Sequence, residues 1–267
     1  RLAGSAARSS IRQLVEALAA GAAASLPLTE LDLSHNELRD GGVLAVAALV
    51  AALPHGLRSL DLSRCHAGAR GCAALAASLR QHPQLPTTLT TFRMGSSDIG
   101  ARASQPWAEW LSAASALTDL DLSHTGCSAA VIAPALCRGA PQLRALELSG
   151  NRLTRTDVAA LLQLCARAQS LQRLGIARCA LEPEAACALL LALQLNPAIS
   201  SFEIDASANP IGVLGAAMLA EALPRLTKLT GLWLDEISRG PEMPYELGAA
   251  AGEPSPSRRQ SGASAVG

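Results

Sequence analysis

The sequence predicts an α/β solenoid, an arc of repeated strand–helix units with parallel strands inside and helices outside. Two observations carry that prediction. A short template, met first as Leu28 to Leu38 (LTELDLSHNEL), returns with starts at residues 28, 57, 89, 117, 143, 171, 199 and 229. Between the copies lie stretches rich in Ala and Leu, of which Gly42 to Leu53 (GVLAVAALVAAL) is the clearest. Chance writes one LxxLxL easily, but not eight in register at steps of 26–32 residues.

Each element has its own physical warrant. In the first template Leu31 and Leu33 alternate with Glu30, Asp32 and Ser34, the period of two of a strand with one buried face. Asn36 follows where the chain leaves the strand, and its side chain can satisfy backbone groups there. Equivalent places carry Cys65, Asn151, Cys179 and, two residues late, Asn209, with Ser97 and Thr125 as weaker substitutes. Leucines in this spacing followed by Asn or Cys mark a leucine-rich repeat. Helices are predicted for Gly42–Leu53, Gly71–Leu79, Ala101–Ala114, Val158–Ala168, Ala185–Leu193 and Leu214–Leu223. Ala and Leu lead the helix-propensity ranking, and a unit of about 28 residues has room for one strand and one full helix.

Residues 1–237 read as one repeat domain of about eight units, the N-terminal one partial. Leu2 to Ser5 resembles the tail of an earlier strand, Ile11 to Ala20 its helix, and the opening residues read as the interior of a longer protein. The third unit departs from the template. Pro83 and Pro86 lengthen its return to the sheet, and its helix carries Trp107 and Trp110 at i, i+3 spacing. Those indoles either fill space between helices or offer a docking spot on the convex side. The unit from Ile199 has two extra residues, expected between Ile204 and Asn209 as a bulge on the rim. Residues 238–267 are dense in Gly, Pro, Ser and Ala and are expected to form a disordered tail.

Composition narrows the function. The net charge is zero, so nucleic acid is not an expected partner. Hydrophobic residues make up 49% and aromatics only 2%, which suits a core of stacked leucines and alanines. The uncharged run Gly41 to Leu53 falls short of the roughly 20 residues that span a bilayer. Seven cysteines without a CxxC pair read as reduced thiols in a cytoplasmic protein, most simply as small buried hydrophobes. The trios Asp32, Ser34, His35 and Asp121, Ser123, His124 lie within single templates, where side chains alternate faces and cannot form a relay. Gly-rich phosphate loops, HExxH and paired His/Cys clusters are missing from the sequence. No catalytic residue, cofactor or metal is therefore expected, and the chain does not read as an enzyme.

A protein partner remains. The residue between the second and third template leucines gives Asp32, Asp61, Arg93, Asp121, Glu147, Gly175, Glu203 and Trp233. These side chains point away from the leucines and should line the concave face as one row. Five are acidic. Either they are solvated template residues, or they form a negative strip for a basic partner with Trp233 as an aromatic anchor.

Leu117–Ser123 (LTDLDLS), Leu171–Leu193 and Ile199–Leu223 resemble the ribonuclease-inhibitor-like superfamily and, within it, the leucine-rich-repeat domain of the CARMIL proteins, regulators of actin capping protein. That resemblance implies a horseshoe, and a scaffold acting in actin and capping-protein assembly near membranes. The family's pleckstrin-homology-like start, helical dimerisation segment and capping-protein-binding motif have no counterpart in this sequence, and the oligomeric state stays open. Two alternatives come from other relatives of the superfamily. A GTPase-activating scaffold like the Ran regulator carries a strongly acidic tail, whereas Glu242, Glu246 and Glu253 here face Arg239, Arg258 and Arg259. A ligand-sensing repeat of a NOD-like receptor accompanies a nucleotide-binding domain, which this sequence does not contain.

Overall fold

The computed structural model describes residues 12–19, 27–101 and 104–237. The expected early strand at Leu2–Ser5 and the tail at 238–267 lie outside the described residues. Residues 12–19 are helical, and Val15 is buried against the stack.

Eight strands form one parallel sheet in chain order. They are β1 (Glu30–Asp32), β2 (Ser59–Asp61), β3 (Thr91–Arg93), β4 (Asp119–Asp121), β5 (Ala145–Glu147), β6 (Arg173–Gly175), β7 (Phe202–Asp205) and β8 (Leu229–Trp233). Between them run α1 (Arg39–Ala52), α2 (Ala69–Gln81), a short α3 (Leu85–Thr88), α4 (Ser104–Leu111), α5 (Ala129–Gly139), α6 (Arg155–Arg167), α7 (Pro183–Leu195) and α8 (Gly212–Ala222). This is the predicted α/β solenoid, with each long helix packed on the helices of the units beside it. The helices begin and end within a few residues of the predicted ranges. The sequence reading had assigned none to Ala129–Gly139.

The register is set by one apolar column: Leu31, Leu60, Phe92, Leu120, Leu146, Leu174, Ile204 and Leu232 sit side by side. From Leu60 to Ile204 these side chains are buried, while Leu31 and Leu232 at the two ends are half-buried. Neighbours on both sides therefore bury the interior units, as a one-dimensional stack requires.

Polar ties run along the same direction. Asn209 accepts the Cys179 and Leu181 N–H groups, each at 3.0 Å, and donates to Ile176 O and Ala206 O. Cysteine does part of the same work: Cys65 Sγ donates to Leu33 O at 3.0 Å in the preceding unit. On the helix side Thr154 and Asp157 form a capping box on α6. Asp157 also accepts from Ser128 Oγ at 2.9 Å and Ala130 N–H at 2.7 Å, which pins the start of α5.

The third unit resolves its two readings. Trp107 and Trp110 are fully buried, with Phe92 5.4 and 5.1 Å from their ring centres. Helix α4 has 8 residues against 14 in α1, so bulky rings fill the volume a longer aliphatic helix would occupy. They are core, not a convex docking spot. Ahead of them Pro86 opens the added turn α3, the lengthened return that the prolines predicted.

The unit from Ile199 corrects the sequence reading. Asn209 follows Ile204 by the same interval as Asn151 follows Leu146. The two extra residues therefore fall before Ile204, and the ladder between β7 and β8 shifts register at Phe202/Glu203. The bulge is at the start of the strand and leaves the rim beyond it regular.

Candidate protein-binding face

The strands present one side-chain row to the concave face immediately after the buried column. Its register partners are Asp32, Asp61, Arg93, Asp121, Glu147, Gly175, Asp205 and Trp233. Seven of these eight positions are those expected from sequence. Glu203 is not the seventh: it pairs with Arg173 two residues upstream, and the row passes through Asp205. The bulge before Ile204 is the physical reason, because Ile199, Phe202, Ile204 and Ala206 offer two ways to count template leucines. Glu203 stays on the same face, where its carboxylate takes Arg173 Nη2 at 2.8 Å and Nε at 3.0 Å.

Each acid of the row is held by its own strand end. Ser34 N–H donates to Asp32 at 2.9 Å, Ser63 N–H to Asp61 at 2.8 Å, and Ser123 N–H to Asp121 at 2.8 Å. Ser149 N–H reaches Glu147 at 2.9 Å and Ser207 N–H reaches Asp205 at 3.0 Å. The Ser34 bonds hold the Asp32 carboxyl below the usual range. Arg93 interrupts the strip, its guanidinium 3.9 Å from Asp61. These carboxylates thus have a structural task, and their remaining lone pairs face the concavity.

Three neighbours refine the surface. Gly175 is bare because the Glu147 carboxylate lies across it: a Cβ there would sit 2.0 Å from Glu147 Oε2. At the far end Trp233 is 43% exposed, with its ring folded back over Gly231 towards Glu203. Asp121, Glu147, Asp205, Ser123, His124 and Arg178 border a shallow depression of about 360 Å³ between the row and the rim. The two Asp–Ser–His trios do not assemble a relay. Asp121 takes the Ser123 backbone N–H, and the His124 ring turns away to lie over Gly150 in the next unit.

Other sequence-predicted groups fall elsewhere. Cys65, Cys72, Cys127, Cys165, Cys179 and Cys187 are buried, Cys137 is exposed, and all seven are free thiols. Burial pushes Cys65 up to about 11 and Cys72, Cys165 and Cys179 up to about 12, far from a reactive thiolate. Among the described residues no helix is long and apolar enough to cross a membrane.

The family profile "Leucine Rich repeat" matches residues 24–47 and 55–76. The chain is 27% identical over 219 residues to Protein CARMIL of Dictyostelium discoideum, covering 82% of this chain and 21% of that protein. It is 30% identical over 214 residues to the ribonuclease inhibitor of Sus scrofa, covering 78% of this chain and 46% of that one. The chain is a ribonuclease-inhibitor-like leucine-rich repeat protein. A third relative is the human "Capping protein, Arp2/3 and myosin-I linker protein 3", 29% identical over 219 residues and matched over 79% of this chain and 16% of its own length. This leucine-rich repeat chain therefore spans about a fifth of the CARMIL-type relatives it resembles. The resemblance to CARMIL lies in this repeat domain.

Proposed function

We propose that this chain is a non-catalytic, cytoplasmic scaffold that binds a basic surface of a protein partner along its concave face, in the regulation of actin and capping-protein assembly. One observation carries the reading. Five carboxylates share one register position, on β1, β2, β4, β5 and β7, in a chain of zero net charge. Adjacent strands stand about 4.7–4.9 Å apart. The pairs Asp32/Asp61 and Asp121/Glu147 are so spaced, and like charges this close steer a cationic partner more than they add affinity. Trp233, at the end of the row beside Asp205, offers the one large half-exposed aromatic surface there. The relatives whose names contain "Capping protein" supply the partner class.

The test uses purified actin capping protein and, separately, an oligolysine peptide, each titrated onto the whole chain at 50 and 200 mM salt. Exposed charges contribute about 0–1 kcal/mol singly, so the variant is the triple Asp61→Lys, Asp121→Lys, Glu147→Lys. The expected result is salt-sensitive binding that the triple variant loses while keeping its circular dichroism and unfolding midpoint. Equal binding by the folded variant would remove the concave row from the interface.

A further inference from the structure

Helix α8 is the last helix of the described stack, and one side of it stands open. Of its 11 residues only Glu221 is charged, and only Gly215 and Leu219 are buried. Gly215 lies against Pro183 of α7, so that side has its neighbour. Val213, Ala216, Ala220 and Leu223 instead form an exposed apolar stripe at helical spacing. The matching residues of earlier helices are covered. Ala186, Leu190 and Leu193 of α7, which match Ala216, Ala220 and Leu223, are at most 1% exposed. In α2 the same places hold Cys72, Ala76 and Leu79, all at 0%. Each of those helices has the next one packed on it. On α8 no described residue takes that place.

The chain beyond β8 keeps the register of a further helix. Leu161 follows Leu146, Leu189 follows Leu174 and Leu219 follows Ile204 by one fixed interval, and each is at most 2% exposed. Val46, Leu75 and Trp107 stand at that interval in earlier units, all at 0%. Counted from Leu232, the same interval falls on Leu247. Helix α4 supplies the matching bounds: Ser104–Leu111, counted from Phe92, corresponds to residues 244–251 (PYELGAAA) counted from Leu232. Pro244 then takes the first helical position, where its missing N–H has no intrahelical partner to lose. Met243, Leu247 and Ala250 match Gly215, Leu219 and Ala222, the covered side of α8, and all three are apolar. The outward place of Gln163, Leu191 and Glu221 falls on Ala249. Composition reads this stretch as a tail, whereas its register reads as the eighth unit's helix.

We propose that residues 244–251, which lie outside the described residues, form that helix and dock on the open stripe of α8. Leu247 enters the leucine column beside Leu219, and Met243, just ahead of the helix, covers Val213 as Gly215 covers Pro183. Two arguments select this occupant. Continuity is the first, since in each earlier unit the strand is followed by its own helix on the same side of the sheet. The tether is the second: an attached segment acts at an effective concentration in roughly the mM range, above that of a second copy or a free partner. Docking also removes an apolar surface at the end of a solenoid, where exposed core positions invite association. The inference is independent of the concave-face reading, because it uses neither the acidic row nor its partner.

The experiment reads the accessibility of a thiol placed in the middle of the stripe, Ala220→Cys, in the whole chain. Cys137→Ser removes the exposed native cysteine, and the other six are buried. Labelling by a water-soluble disulfide reagent should be about tenfold or more faster once Leu247→Asp is added, because the covering segment is released. Ala249→Asp, at the outward place, should leave labelling slow. Near-ultraviolet circular dichroism of the buried Trp107 and Trp110 checks that the stack stays folded. Should Leu247→Asp disturb it, Leu247→Ala gives the same comparison with a smaller increase. Light scattering should report a monomer, and tenfold dilution should leave the slow rate unchanged. Any of three results would overturn the proposal. Equal labelling with and without the Leu247 change would leave the stripe open. Equal acceleration by Ala249→Asp would deny the helical register. Protection lost on dilution would assign the stripe to a second copy of the chain.

Discussion

The Asn151 side-chain oxygen accepts the Thr125 N–H at 3.0 Å, joining the fifth strand's exit to the fourth's. The same carboxamide accepts Gly126 N–H at 2.7 Å and donates to Leu122 O at 2.8 Å and Leu148 O at 2.7 Å. One buried amide thus satisfies four backbone groups across two units. Among the described residues Asn36, which is half-buried, donates within its own unit, to Leu33 O and Ser34 O. Orphaning buried backbone groups costs about 1–3 kcal/mol, part of which water recovers. Asn151→Ala should therefore lower stability by about 2–4 kcal/mol in urea denaturation, and Asn36→Ala by much less. Similar losses at the two sites would mean that the ladder does not couple units.

The stack makes a parallel claim about leucines. Leu146 is 1% exposed between two neighbours, whereas Leu232 is half-buried on the last strand. Truncating a core leucine costs about 2–5 kcal/mol, depending on how far the site collapses. Leu146→Ala should fall in that range and Leu232→Ala below it. A larger loss at Leu232, measured by the same denaturation, would contradict nearest-neighbour stability.

Acid should weaken one identifiable tie. Burial alone would raise the Asp157 carboxyl, but bonds from Thr154, Ala130 N–H and Ser128 outweigh it and hold it below the ordinary range. A folded pKa below the unfolded one, about 3.9, stabilises the fold fully above that value. The contribution disappears as pH falls through the lower folded pKa. Asp157→Asn should be less stable than the parent at pH 7, and the gap should narrow between pH 4 and pH 2. A gap that stays constant across this window would assign the loss to something other than the ionised carboxylate.

How much of this was legible in the sequence varied with the physics behind each element. The strands were readable because burial of one face writes leucine every second residue, and Leu31, Leu60 and Leu120 obey it. The seventh row position departs from expectation where that rule becomes degenerate. Ile199, Phe202 and Ile204 are all apolar, so spacing alone favoured Glu203 over Asp205. Trp107 and Trp110 kept two readings because helical spacing does not say which side of a helix faces the core.

Trp233 provides a way to read the concave field without any partner. It is 43% exposed, while Trp107 and Trp110 are sealed in the core, so a water-soluble quencher should reach one of the three indoles. Asp205 is its register partner, and Glu203, Asp235 and Glu236 lie close by in the structure or the chain. If the row is a negative strip, caesium should quench the accessible fraction more efficiently than iodide, and neutral acrylamide should fall between them. Raising ionic strength from 20 to 200 mM should shrink that preference, since the screening length falls to below about 10 Å. Asp205→Asn should reduce the preference, whereas Trp233→Phe should abolish the accessible fraction. Equal quenching by caesium and iodide at 20 mM would mean that Arg93, Arg173 and the strand-end N–H groups already neutralise the carboxylates. The concave acids would then be strand caps alone, and a partner would have to be sought at the rim.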